Sequence, residues 1–163
     1  MNKANKSKKD IILLTSCVYP VVKKNISNLN AKKNLQDLNS NIKNLIDKVN
    51  NINKKFEIVV ADCSQDFNLS HEDINTIEDS SNLHIVNIKF NFDELNQIKL
   101  RGKGYCEILM IKHTISQLNL SDECNIHKLT ARYALIFPNF LLNYHSHLMK
   151  NKEIAILFSY FLK

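Results

Sequence analysis

An α/β domain, with a mostly parallel sheet flanked by helices, is the architecture this chain predicts, and three observations carry the expectation. The segments Ile11–Val18, Phe56–Ala61 and Leu83–Ile88 are largely continuous apolar runs rather than alternating ones, as strands covered on both faces require. Between the first two, Leu35, Leu38, Ile42, Leu45, Val49 and Ile52 recur at three and four residues with Lys, Asn and Asp between them, which is the period of an amphipathic helix. Strand-like and helix-like segments then alternate along the chain, the order that a parallel sheet with crossover helices produces.

The first run, Ile11-Ile12-Leu13-Leu14-Thr15-Ser16-Cys17-Val18, stops near Pro20 and reads as a buried strand. It follows a lysine-rich stretch, as a signal peptide would, but Asp10 interrupts the approach and no small-x-small cleavage site follows. The run is also too short to span a bilayer. The helical period lies between Lys24 and Lys55; fewer than three heptads make a helix lying on a sheet the better expectation than a coiled coil. Phe56–Ala61 leads as a second strand into Asp62-Cys63-Ser64, residues 65 to 82 read as polar loop with a short helix, and Leu83–Ile88 is a third strand. Asn91 to Leu100 reads as loop or a helical turn. Tyr105 to Leu118 reads as a helix with Ile108, Ile111, Ile115 and Leu118 on one face, Asn125–Tyr133 as a fourth strand, and Phe137–Met149 as a further helix.

With 163 residues, 44% of them hydrophobic and eight Phe, the chain is long enough for one well-formed core and too apolar for global disorder. Residues 1–9 read as a basic flexible tail and 10–163 as a single domain. The formal charge of +6 and the pI near 9.1 favour an anionic partner. Scattered lysines, with no zinc finger, RNP-like motif or aromatic-basic platform, argue against nucleic acid. Cys17, Cys63, Cys106 and Cys124 show no CxxC or zinc-site spacing, and read as free thiols in a reducing cytoplasm.

Both glycines of the chain fall in Arg101-Gly102-Lys103-Gly104-Tyr105-Cys106-Glu107. Glycine permits positive φ and close approach to the backbone. With two cations beside it and a helix after it, the segment reads either as a turn or as a phosphate loop at a helix start. It is neither GxxxxGK[ST] nor a full GxGxxG. In open parallel sheets ligands bind beyond the carboxyl ends of the strands, which points at Thr15 to Tyr19, at Asp62 to Ser64 and at this loop. Asp62 suits a ribose or base, or an Asx-turn; Ser64 suits a cap on the same turn, and Thr15 and Ser16 can offer hydroxyls. Lys128, Thr130 and Arg132 share one face of a strand, where two cations and a hydroxyl suit either a diphosphate or a solvated edge face. Glu107 reads as an acceptor-binding carboxylate or general base, or as a charge favoured at a helix start. His113 and His127 read as ordinary structural histidines.

Taken together, a strand into TSCVYP, a strand into VVADCS, GKGYCE opening a helix, and KLTARY resemble a group of bacterial glycosyltransferase-like proteins. That group is linked to surface polysaccharide or lipopolysaccharide synthesis and has a GT-A type, Rossmann-like nucleotide-sugar-binding fold; its segments typically read GKGYGE and K-(L/I)-TGRY. The resemblance covers roughly residues 10 to 135. It implies transfer of a sugar from a nucleotide-sugar donor to a glycan or lipid-linked acceptor, in the cytoplasm or peripherally at the inner face of the membrane. By resemblance, Thr15, Ser16, Asp62 and Ser64 fall around the nucleotide, and Gly102, Lys103 and Gly104 around the sugar phosphate, with Thr130 and Tyr133. Glu107, Lys128 and Arg132 take the catalytic places. Cys106 and Ala131 stand where the group has Gly. No Asp-x-Asp is present, the motif that holds Mg²⁺ or Mn²⁺ on a diphosphate in typical GT-A enzymes; the alternatives are that Lys128 and Arg132 take over from a divalent ion, or that Mg²⁺ or Mn²⁺ binds without the motif. The apolar end Ile154–Leu162 fits a terminal helix or strand, a membrane contact or a truncated product. The alternative function is an impaired or truncated nucleotide-sugar-binding module without turnover.

Overall fold

The computed structural model describes residues 9–19, 28–51, 55–74, 82–120 and 124–130. They form β1 (Lys9–Ser16), α1 (Asn28–Asn50), β2 (Phe56–Asp62), β3 (Leu83–Asn87), α2 (Phe92–Arg101), α3 (Lys103–Gln117) and β4 (Cys124–Thr130). The strands make one sheet in the order β3-β2-β1-β4, and every neighbouring pair is parallel. The fold is therefore α/β with an all-parallel described sheet.

Two apolar layers explain why the central strands are apolar on both faces. Ile12 and Leu14 of β1, with Ile58 and Val60 of β2, pack under Leu38, Ile42, Leu45 and Val49 of α1. Ile11, Leu13, Val59 and Ala61 face the other way, toward Ile98 of α2 and Leu109 and Met110 of α3. Strand alternation thus assigns successive residues to opposite helical layers, and neither face is left for water.

Two elements differ from their expected form. Residues 91–100, read as loop or a turn, begin the ten-residue helix α2. Its start is a capping box: Asn91 Oδ1 accepts from Glu94 N (2.9 Å), while Glu94 Oε2 accepts from Asn91 N (3.0 Å). These bonds satisfy donors that a helix start otherwise leaves unpaired. In α3 the buried residues are Leu109, Met110 and Thr114, whereas Ile108 is 62% exposed and Ile115 is exposed. The inward face is rotated from the one apolarity suggests. Thr114 is tolerated inside because its hydroxyl donates to Met110 O at 2.8 Å.

Glu94 also joins α2 to α3, its Oε1 lying 2.8 Å from His113 Nε2. Burial alone would raise its carboxyl, but the Asn91 N–H and the His113 side chain outweigh that and hold it below the ordinary value. A lowered folded-state pKa contributes stability above the unfolded-state value, near 4.5, and loses it as pH falls through the folded-state value. Glu94→Gln is therefore expected to lower Tm at pH 6 and to shrink that deficit toward pH 3. Melting curves of both proteins across that range check this; a constant difference would remove Glu94 from the acid response.

Among the described residues no helix is long and apolar enough to cross a membrane. The expected helix Phe137–Met149 and the apolar end Ile154–Leu162 lie outside the described residues.

Candidate functional site at the carboxyl edge of the sheet

The chain steps outward from β1 to β2 to β3, then returns past both to place β4 on the other side of β1. The strand order reverses between β1 and β4, and a crevice opens beyond the carboxyl ends at such a switch point. Thr15 and Thr130 are the last register partners there. Thr15 is buried, and its Oγ1 has no hydrogen-bond partner among the described residues. Ser16 is half-buried, and its carbonyl accepts from Cys63 N at 3.1 Å.

Asp62 ends β2 with no exposed surface. Its two oxygens are taken by main chain: Oδ2 accepts from Val18 N (3.0 Å) and Oδ1 from Ser64 N (2.9 Å). Ser64, also buried, accepts from Tyr19 N at 2.9 Å through its hydroxyl. In this arrangement the pair shapes the turn after β1 by giving its otherwise unpaired N–H groups acceptors. The neighbouring turn is fastened in the same way. Lys89 Nζ donates to the carbonyls of Ser64 and Phe67, and Gln65 bridges Cys63 O and Phe90 N.

The glycine segment joins α2 to α3. Gly102 closes one helix and opens the next at φ 80° and ψ −165°, a conformation that is essentially glycine's own. Gly104 is different: it lies in the first turn of α3, is exposed, and a Cβ placed on it would meet nothing within 4 Å. Nothing in the described fold requires glycine at 104. The start of α3 has no side-chain cap, so its first N–H groups point outward, the positive end of the helix dipole.

α3 runs back along the sheet with this start at the carboxyl edge, which brings Glu107 to β4. Its Oε2 lies 2.9 Å from Lys128 Nζ, and its Oε1 lies 3.8 Å from Lys103 Nζ. Arg101 sits over the ring of Tyr105, 5.0 Å from the centroid. Glu107, Lys128, Lys103, Gly102 and Gly104 are thus brought together, close to the ends of β1 and β2. Thr130 ends β4. Arg132 and Tyr133 lie outside the described residues. The donor set at this edge is one carboxylate shared between two ammonium groups, which does not fit a divalent cation. No group of three or more His, Cys, Asp or Glu among the described residues is placed to hold a metal ion.

Sequence reasoning missed a thiol cluster. Cys17 follows β1, Cys63 follows β2 and Cys106 sits in the first turn of α3; Cys63 is buried in the apolar layer against which Cys17 and Cys106 pack. The neighbouring thiols, Cys106 first and then Cys17, together with burial push the Cys63 thiol far above its ordinary value. Cys106 moves the opposite way: the neighbouring Cys63 thiol, helped by the Lys103 charge, outweighs burial and Glu107 and lowers it. The only signal in the sequence was positional, a cysteine just after each of two strands and one beside the glycines. Compared with protein-family models, with curated proteins and with solved structures, the chain finds no match.

Proposed function

We propose that the chain is a glycosyltransferase-like protein with a GT-A type fold, which binds a nucleotide sugar at the carboxyl edge of its sheet. The sugar passes to a surface glycan or lipid-linked acceptor. One observation supports this most: the glycine-rich start of α3, Lys103 and the Glu107–Lys128 pair converge beside the β1/β4 switch point, where ligands of parallel sheets bind. In this reading Lys103, Lys128 and the first N–H groups of α3 hold the diphosphate and stabilise it as it leaves. A phosphate that engages Lys128 frees Glu107 Oε2, which then accepts the proton of the attacking hydroxyl. Arg132 adds a third cation, Tyr133 and Thr130 contact the sugar phosphate, and the unpartnered hydroxyl of Thr15 reaches the nucleotide with Ser16. Asp62 and Ser64 act by shaping the loop after β1. The work takes place in the cytoplasm, at the inner face of the membrane.

A binding module without turnover is the second reading. It is favoured by Glu107, which the structure holds between two lysines, and by Cys106, a half-buried side chain where the similar group has Gly.

Thermal-shift titration with UDP-, GDP- and CMP-sugars, each with Mn²⁺ and with chelator, tests both. A ligand that binds only the folded state raises Tm. One nucleotide class is expected to raise it, and to do so equally under chelator. Gly104→Ala sharpens the test. An alanine there is expected to stabilise the free protein by about 0.5–1 kcal/mol, because glycine is a poor helix residue, yet to weaken donor binding at least tenfold by blocking the approach to the helix start. Unchanged donor affinity in Gly104→Ala would remove the α3 start from the site. Product formation separates the enzyme from the module.

A further inference from the structure

The turns after β1 and β2 bring two aromatic rings together. Tyr19 and Phe67 lie with their ring centroids 4.9 Å apart and their planes inclined at 42°. Phe67 is half-buried against the apolar layer under α1 and backs the pair, whereas Tyr19 keeps 39% of its surface open. The main chain that carries Tyr19 is held by three side chains from elsewhere in the fold. Asp62 accepts from Val18 N and Ser64 from Tyr19 N, while Asn34 Nδ2 donates to Val18 O at 3.0 Å. Phe67 is tied through its own carbonyl, which accepts from Lys89 Nζ at 2.7 Å. A partly open ring on a main chain fixed in this way spares a ligand the cost of ordering the loop that receives it.

Charge gathers on the other side of β1. Lys128 of β4 and Lys103 of α3 both reach Glu107. Between the two sides, at the end of β1, the buried Thr15 hydroxyl has no partner among the described residues. Because β2 and β4 are the two neighbours of β1, their ends lie two strand spacings apart, about 10 Å. A ligand laid across the end of β1 therefore meets aromatic rings at one end and ammonium groups at the other. A sugar phosphate makes no use of the rings; a nucleotide uses both. We propose that Tyr19, backed by Phe67, is the stacking platform for the base of a mononucleotide whose phosphates lie toward Lys103 and Lys128. Every base has a π-face, so stacking on an aromatic ring contributes affinity with little choice among bases. Tyrosine offers that area at low entropic cost, with only two side-chain torsions to fix. The inference rests on the reading of the carboxyl edge as a nucleotide site, and is independent of the sugar and of its transfer.

The test uses the full chain and compares probes that have a base, namely UDP, GDP and CMP, with phosphate and pyrophosphate, which have none. By calorimetry, wild type is expected to bind at least one of the nucleotides at least tenfold more tightly than pyrophosphate. Tyr19→Ala is expected to weaken that nucleotide about tenfold or more and to leave pyrophosphate binding unchanged. Tyr19→Phe is expected to keep both affinities, since the ring and not the hydroxyl makes the stack. The chain has five Tyr and no Trp, so a stacked base is expected to quench tyrosine emission in wild type. In Tyr19→Phe that quench is expected to disappear while the nucleotide still binds. Melting curves show that each variant is folded. Unchanged nucleotide affinity in Tyr19→Ala, or equal losses for nucleotide and pyrophosphate, would overturn the platform and leave the nucleotide-sugar reading in place. Nucleotide binding that depends on Tyr19, with UDP-, GDP- and CMP-sugars all failing to bind, would keep the platform and remove that reading. No binding of any nucleotide would overturn both.

Discussion

Replacing Asp62 with Ala is expected to destabilise the chain by about 3 kcal/mol or more, one of the largest single-residue losses outside the apolar core. The carboxylate has no exposed surface and serves two main-chain donors, Val18 N and Ser64 N. Removing it strands both in a water-poor site, at about 1–3 kcal/mol for each donor left without a partner. Asp62→Asn keeps one acceptor oxygen but turns the other into a donor facing an N–H, so it is expected to recover part of the loss, never all of it. Urea unfolding checks the pair: the midpoint should fall in the order wild type, Asn, Ala, with the slope unchanged. A loss under about 1 kcal/mol for Ala would mean that the turn after β1 finds other acceptors. The same variants bear on function. If Asp62 acts through the loop, Asn should weaken donor binding in proportion to its effect on the loop; a ribose or base contact would cost affinity with little change in stability.

How far the sequence led, and where it stopped, follows from what each element needs. β1, β2 and β3 are legible because both faces of the sheet are covered, which makes their sequences largely continuous apolar runs. α1 is legible because its four buried residues, Leu38, Ile42, Leu45 and Val49, keep one stripe. α2 was hidden because only Ile98 is fully inward while Phe92 and Leu100 are exposed, which erases the periodicity; the capping pair Asn91 and Glu94 was the readable sign. The face of α3 was misjudged because Thr114 satisfies its hydroxyl within the helix and so passes as apolar. The carboxyl edge itself was legible, since strand ends and glycines mark it. What each side chain does there was not. Whether Asp62 faces a ligand or a backbone depends on a contact between residues more than forty positions apart, which no local pattern encodes.

A pair 117 positions apart sets the second large effect. His127 Nε2 lies 2.8 Å from Asp10 Oδ1, and both residues are buried. Asn125 donates to the same carboxylate at 3.2 Å, and the His127 ring meets Phe56 edge-on at 5.8 Å. Strand alternation puts His127 in the α1 layer and Lys128, the next residue, in the α3 layer beside Glu107. The pair therefore fastens β4 to β1 on one face while the candidate site uses the other. Removing one partner leaves a buried polar group behind, so His127→Ala is expected to cost about 3–5 kcal/mol. Well-packed apolar replacements of similar volume avoid that penalty, and the double variant Asp10→Leu with His127→Phe is expected to recover more than half of the loss, Phe56 offering the new ring an aromatic neighbour. Unfolding midpoints of the two single variants and the double decide this: a double variant no better than His127→Ala would show that the pair is not the unit that matters. Where β4 stays docked in the double variant, donor binding through Lys128 should survive; in His127→Ala it should weaken together with stability, because the strand that carries Lys128 is the one the histidine holds.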